Sequence, residues 1–290
     1  MTTASTEERW TVRKVMSWTT SHFEKNKIDA PRLTTEVLLS HLLSIDRVRL
    51  YVDIDRPLEK AELAAYRALI QRRIAGEPTQ YLVGYKQFYN RRIAVDPRVL
   101  IPRPETELLI EGVLRLFAPD ATAQALDLCT GSGCIAVTLA AERKGFFVTA
   151  VDLSPDACEV ARGNAEKLGV RERVKVLQGD LFAPLPAGEK FALITANAPY
   201  VKTGELKGLQ KEVQKEPVLA LDGGPEGLDV IQRIADGANA WLADGGLLAL
   251  EIGDAQGPQV KEILVRAGYR DVAIERDLAR LDRLAFAHRA

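Results

Sequence analysis

Along the first stretch of about 75 residues, apolar positions recur at helical spacing. Val12, Val15, Met16, Thr19 and Phe23 share one face, preceded by Ser5 and Glu8 at the spacing of a capping box. Leu33, Val37, Leu38, His41 and Leu42 predict a second helix, with His41 packed among its apolar neighbours. A third helix is predicted over 58–74, presenting Leu63, Tyr66, Leu69 and Ile70 on one side. Arg72 and Arg73 fall in its last turn, where positive charge suits the helix dipole, and Gly76 reads as the C-terminal cap. The stretch holds no chemical constellation of its own. It predicts a small helical domain over 1–80.

The pattern changes at Tyr81. Phe88, Ile93, Val95 and Val99, with turn residues at Tyr89-Asn90-Arg91, predict a short β-hairpin, so 81–104 is expected to connect two domains. From about residue 125 strands and helices alternate. Strands are predicted at 125–129, 147–151, 174–178, 191–195 and 246–251. Helices are predicted at 134–142, 155–169, 228–242 and 259–267, with Ser154 as an N-cap before Pro155 at the first helical position. Residues 271–286 read as two strands about a turn. Repeated β-α units imply a parallel sheet covered by helices on both faces, with ligands at the carboxyl ends of the strands. The expected fold class is α/β, with the catalytic domain over 105–290.

Composition narrows the function classes. The net charge of −1 argues against a protein held on nucleic acid mainly by bulk electrostatics. No apolar run approaches the ~20 residues that span a bilayer, and Met1 to Glu8 lack the apolar core of a signal peptide. A cytoplasmic protein is expected. Cys129, Cys134 and Cys158 form no C-x-x-C pair and lie far in sequence from His22, His41 and His288, so reduced thiols and no metal site are expected.

The chemistry concentrates at two strand ends. The first strand runs into Asp127, Cys129, Thr130, Gly131, Ser132, Gly133 and then a helix. The two glycines allow a tight turn and close approach to a ligand, and the helix start offers free N–H groups. Asp152, 19 residues after Gly133, closes the next strand, where an acid can accept from both hydroxyls of a ribose. By itself this segment fits either a methyltransferase or a nicotinamide dehydrogenase, because Gly131-x-Gly133-x-x-Ala136 also matches the dinucleotide pattern. Asp180, just past the third strand, favours the former, since a side chain there can reach an adenine amine.

The fourth strand leads into Asn197-Ala198-Pro199-Tyr200, over the same cleft. An amide nitrogen is a poor nucleophile because its lone pair is delocalised into the carbonyl. Two acceptors aimed at its N–H bonds favour density on nitrogen as charge develops; the Asn197 side-chain oxygen and the Ala198 backbone carbonyl can be those acceptors. Pro199 restricts Ala198 to an extended conformation, and Tyr200 offers an aromatic face to a planar amide or base.

Four segments together resemble the HemK family of protein-(glutamine-N5) methyltransferases, in particular the branch acting on peptide-chain release factors. They are 76–84 (Gly-Glu-Pro-Thr-Gln-Tyr-Leu-Val-Gly), 100–107 (Leu-Ile-Pro-Arg-Pro-Glu-Thr-Glu), 127–133, and 216–228, from Glu216-Pro217 to Gly227-Leu228. The resemblance implies a Rossmann-like S-adenosylmethionine-dependent methyltransferase with a small N-terminal helical domain and a β-hairpin. It implies cofactor contacts from Asp127, Thr130, Gly131, Gly133, Asp152, Asp180 and Asn197. It implies that Pro102, Arg103 and Glu105 border the substrate beside Asn197 and Tyr200. Without the resemblance, 102–106 reads as a proline-stiffened linker. The implied substrate is the glutamine of the Gly-Gly-Gln loop of class-1 release factors, bound by a monomer that does not contact nucleic acid or membrane directly.

One position departs from the family pattern. Where the family carries Asn-Pro-Pro-Tyr, this chain has Ala198. Alanine keeps the carbonyl but loses the fixed φ and adds an N–H donor, so turnover is expected to be retained but weakened. The alternatives are a glutamine or adenine-N6 methyltransferase on a ribosomal protein or nucleic acid, and a cofactor-binding protein whose turnover Ala198 impairs.

Overall fold

The computed structural model describes residues 9–290, which divide into two compact units at Gly84/Tyr85. Ser5 and Glu8 lie outside the described residues.

The first unit is helical: α1 (Val12–Lys25), α2 (Pro31–Leu43), α3 (Arg47–Val52), α4 (Lys60–Ile74) and α5 (Thr79–Val83). Thr11 caps α1, its side chain accepting from the Lys14 amide, and the five residues expected on the inner face of α1 are all buried. A capping box does occur, at α4, where the Glu62 carboxylate accepts from the Glu59 amide at 2.8 Å. Gly76 follows α4 at φ +94°, a conformation that costs glycine little.

Helix α2 is rotated from the expected face. Leu38 is buried as expected, but Leu33 and His41 are exposed, while Thr34, Thr35 and Leu39 face inward. His41 therefore does not pack in the core. Threonine takes an inner position because its hydroxyl bonds to its own helix: Thr35 Oγ1 donates to the Pro31 carbonyl at 2.9 Å. The Tyr66 hydroxyl then donates to the Thr35 carbonyl at 3.2 Å, joining α4 to α2.

The second unit opens with the hairpin β1 (Tyr85–Phe88) and β2 (Arg91–Ala94). Tyr89 and Asn90 at its turn both have positive φ, as a two-residue loop matching strand twist requires. Phe88 and Ile93 point into the core. Helix α6 (Pro104–Leu116) follows, in a segment whose local pattern reads as a linker. Pro104 occupies its first turn with Glu105 and Glu107, and Leu109, Ile110 and Val113 form its buried side.

Then come β3 (Ala123–Leu128), α7 (Cys134–Glu142), β4 (Phe146–Asp152), α8 (Pro155–Lys167), β5 (Val174–Gln178), β6 (Phe191–Asn197), α9 (Asp229–Ala238), β7 (Leu242–Glu251), α10 (Gly257–Arg266), β8 (Tyr269–Arg276) and β9 (Asp282–Arg289). Helix α9 ends four residues before the expected 242. The reason is that Trp241 already pairs with the sheet, its carbonyl accepting from the Phe191 amide at 2.8 Å.

The seven strands run β5-β4-β3-β6-β7-β9-β8, parallel through β7 and antiparallel at β9 and β8. This is a Rossmann-like α/β sheet. Strand order reverses between β3 and β6, so their carboxyl ends flank a crevice outside the sheet. Asn197 ends β6 level with Glu251 at the end of β7. Asn164 of α8 ties the hairpin to the glycine loop: its amide exchanges hydrogen bonds of 2.8 and 3.0 Å with the Ala94 backbone and donates to the Ser132 carbonyl at 2.8 Å. No helix among the described residues is long and apolar enough to cross a membrane.

Candidate active site

The loop after β3 is held from below. Asp127 is fully buried; its carboxylate accepts from Thr130 Oγ1 at 2.6 Å and from Thr195 Oγ1 of β6 at 2.8 Å. Burial pushes its acid up to about 7, against those two hydroxyls. Gly131 and Gly133 have φ of +54° and +77°, and a Cβ on Gly133 would meet that of Ala161 at 3.0 Å. Asp152 completes the loop: one oxygen accepts from the Gly131 amide at 2.8 Å, the other from the Ser154 amide at 2.9 Å. Burial raises its pKa.

A cavity of about 220 Å³ opens over this loop. Gly131, Asp152, Asp180 and Asn197 line it, with Leu153 and Leu181 as apolar wall. Asp127, Thr130 and Gly133 stand behind the lining and shape it. Asp180 is ion-paired at the cavity edge with Arg233 of α9, at 2.7 Å.

A second, smaller cavity of about 120 Å³ lies beside the first. Arg103, Asn197, Tyr200, Leu209 and Val213 are among its walls. Asn197 borders both cavities. Of the other residues expected at the substrate, Pro102 and Glu105 line neither. Pro199 lines the first cavity, whereas Ala198 is 1% exposed and packs into the core under the sheet end.

Four further side chains hold the site together, of which Thr106 belongs to the segment 102–106 that the resemblance places at its border. Glu251, 1% exposed, accepts from Thr106 Oγ1 at 2.6 Å and from the Tyr200 hydroxyl at 3.4 Å. Thr106 in turn accepts from Asn197 Nδ2 at 3.2 Å. Burial pushes the Glu251 acid up to about 7, while Thr106 and the charge of Arg283 pull it down. Glu216 accepts from Arg103 Nη2 at 2.6 Å and from the Ile101 amide at 3.0 Å. Burial outweighs that ion pair, and its pKa is raised. Gln256 donates to the carbonyls of Tyr200 at 3.1 Å and Gly227 at 3.0 Å, clamping the loop after β6. Glu251 had a signal in the sequence, an acid closing the apolar run from Leu247 to Leu250. Glu216 had none outside the 216–228 segment that contains it, and Gln256 had none at all.

The arrangement can hold a ligand bearing hydroxyls and a flat apolar group in the first cavity and present a planar polar group to it from the second. Asn197 stands at the junction. Tyr200, whose hydroxyl is held protonated by burial and the nearby Glu251, supplies an aromatic wall.

Comparison with known proteins agrees. Residues 14–84 match the PrmC N-terminal domain and residues 125–216 a methyltransferase domain. The chain is 44% identical to the release factor glutamine methyltransferase of Geobacter sulfurreducens, over 96% of each chain. It is 42% identical to that of Chlorobaculum tepidum, over 96% of this chain and 97% of the other. Among solved structures, a T. thermophilus 16S rRNA methyltransferase in complex with AdoMet and guanosine superposes with a TM-score of 0.54 at 19% identity, covering 71% of this chain and 50% of the other.

Proposed function

Because this chain belongs to the family of release factor glutamine methyltransferases, we propose that it transfers a methyl group from S-adenosylmethionine to the side-chain amide nitrogen (N5) of the glutamine in the Gly-Gly-Gln loop of class-1 release factors. The observation that carries this reading is the position of Asn197, which borders both cavities.

The first cavity fits the cofactor by the chemistry of its walls. Asp152 offers carboxylate oxygens to ribose hydroxyls, Leu153 and Leu181 offer apolar surface to a purine, and Gly131 brings backbone close. The cofactor supplies a methyl group on a sulfonium, which needs no further activation; the protein has to position the acceptor nitrogen. The glutamine side chain enters the second cavity. Asn197 Oδ1 accepts from one of its N–H bonds and the backbone carbonyl of Ala198, whose side chain lines neither cavity, from the other; Tyr200 packs on its amide plane, and Arg103 stands at the wall where the protein substrate enters. Asp127, Thr130 and Gly133 support the cofactor by shaping the loop, and Pro102 and Glu105 flank Arg103 in the segment that meets the protein substrate. Asp180 reaches the adenine amine while paired with Arg233. The helical unit serves recognition of the protein substrate, and the hairpin belongs to the frame around the loop. The enzyme acts as a monomer in the cytoplasm, without direct contact to nucleic acid.

The test is a transfer assay with labelled S-adenosylmethionine and purified release factor, read by mass spectrometry. Label is expected on the loop glutamine and absent from a factor in which that glutamine is replaced. Label elsewhere, or on ribosomal protein or nucleic acid instead, overturns the substrate assignment.

A further inference from the structure

An asparagine amide presents oxygen on one side and nitrogen on the other, and the two ends have nearly the same shape. For Asn197 the difference decides function, since only Oδ1 can accept an N–H bond from an incoming amide. Its Nδ2 lies 3.2 Å from Thr106 Oγ1. A hydroxyl either donates or accepts, so Thr106 by itself selects neither end. Glu251 Oε2 lies 2.6 Å from the same hydroxyl. An ionised carboxylate only accepts, so it takes the single hydroxyl proton and leaves Thr106 with lone pairs alone. Asn197 must then face Thr106 with Nδ2 and present Oδ1 on its other side.

We propose that Thr106 and Glu251 are positioning residues that set the orientation of the Asn197 amide, and that this orientation is correct only while Glu251 is ionised. The proposal rests on the reading of the site as one that accepts an amide. Glu251 is costly to keep at 1% exposure, and a hydrophobic residue would close the strand end more cheaply. The groups facing it are Thr106 and Glu105 on α6, Cys134 at the start of α7, Arg283 on β9 and Tyr200 after β6. Arg283 favours the ionised form and Glu105 opposes it. A protonated Glu251 donates to Thr106, which frees the hydroxyl to donate to Asn197 Oδ1, and the selection is lost. Burial places that event at about pH 7, so positioning is lost as pH falls through neutrality.

Two measurements test this on the full chain. In kinetics with release factor, Thr106→Val is expected to lower kcat about 100-fold through a misaimed Asn197, with cofactor affinity unchanged, and Thr106→Ser to recover most of it. Glu251→Gln is expected to flatten the acidic limb of the kcat profile. The second measurement needs no substrate: the side-chain amide signal of Asn197 in ¹⁵N-labelled enzyme, assigned by its loss in Asn197→Ala. It is expected to titrate with a midpoint of about 7 in the wild type and to stay unmoved in Glu251→Gln. Full kcat in Thr106→Val, or the same titration in Glu251→Gln as in the wild type, overturns the proposal. If the wild type labels no release factor, the functional reading fails, while the amide titration still decides the relay.

Discussion

Arg103 and Glu216 meet at 2.6 Å across 113 positions of sequence, in a pair that is 1% exposed on the carboxylate side and 30% on the guanidinium side. The same carboxylate accepts from the Ile101 amide. One buried acid thus sets the path of the chain into α6 and the position of Arg103 at the second cavity.

Glu216→Ala removes both bonds and leaves a buried amide unsatisfied. A loss of about 1–3 kcal/mol in denaturant stability is expected, with KM for the release factor raised more than the dissociation constant of S-adenosylmethionine changes. Steady-state kinetics beside calorimetric titration checks the split; equal losses in both would move Arg103 away from the protein substrate.

Asn197 and Asp152 should fail in opposite ways. Asn197→Ala is expected to abolish transfer with cofactor affinity nearly intact, because its side chain acts at the junction of the cavities. Asp152→Ala also frees the amides of Gly131 and Ser154, so cofactor affinity should fall at least about tenfold, or ~1.4 kcal/mol. Binding measured without release factor separates the two effects.

Stability should decline as pH rises through neutrality. Asp127 and Glu251 have folded-state pKa values of about 7, above their ordinary 3.8 and 4.5. Between those limits the folded chain binds more protons than the unfolded one, so each group favours folding at low pH and that advantage is lost toward pH 7, by at most ~1.4 kcal/mol per pH unit. Melting temperatures of the wild type and of Asp127→Asn with Glu251→Gln, taken between about pH 5 and 8, should diverge, with the double variant flatter. Activity should run the other way, rising with pH over the same range.

Ala198→Pro should raise kcat without changing cofactor affinity. Proline narrows the backbone that carries the carbonyl at that position and costs the unfolded chain ~0.4–1 kcal/mol of freedom. Parallel kinetics and denaturation of the two forms checks both effects. A drop in stability instead would show that the buried Ala198 environment has no room for the ring.

Much of the frame was legible because its signals are local. The glycine loop, the Ser154-Pro155 helix start and the strand ending at Asp152 are short patterns with one physical solution each. Asn197 could be placed from the strand before it. Local signals misled where a polar residue had a local partner, as Thr35 does in α2, because hydropathy alone sends threonine outward. They were silent where meaning lies in pairing at a distance. Thr106 and Glu251 are 145 positions apart, and neither announces the other until α6 packs against the end of β7. Helix α6 was legible in principle, from Pro104 and two acids in its first turn.

The order of strands carries a consequence for biosynthesis. Strand β9 lies between β7 and β8, with Leu284 opposite Glu251 on one side and Glu275 on the other. Both neighbours leave the ribosome before it does. Until residues 282–289 clear the exit tunnel, β8 has no partner in the sheet and the strand bearing Glu251 remains a raw edge. The nascent chain therefore carries an apolar β7, paired with β6 on one side and open on the other, for the whole time that α10 and β8 are being made, and a ribosome stalled in that interval holds a sheet that cannot close.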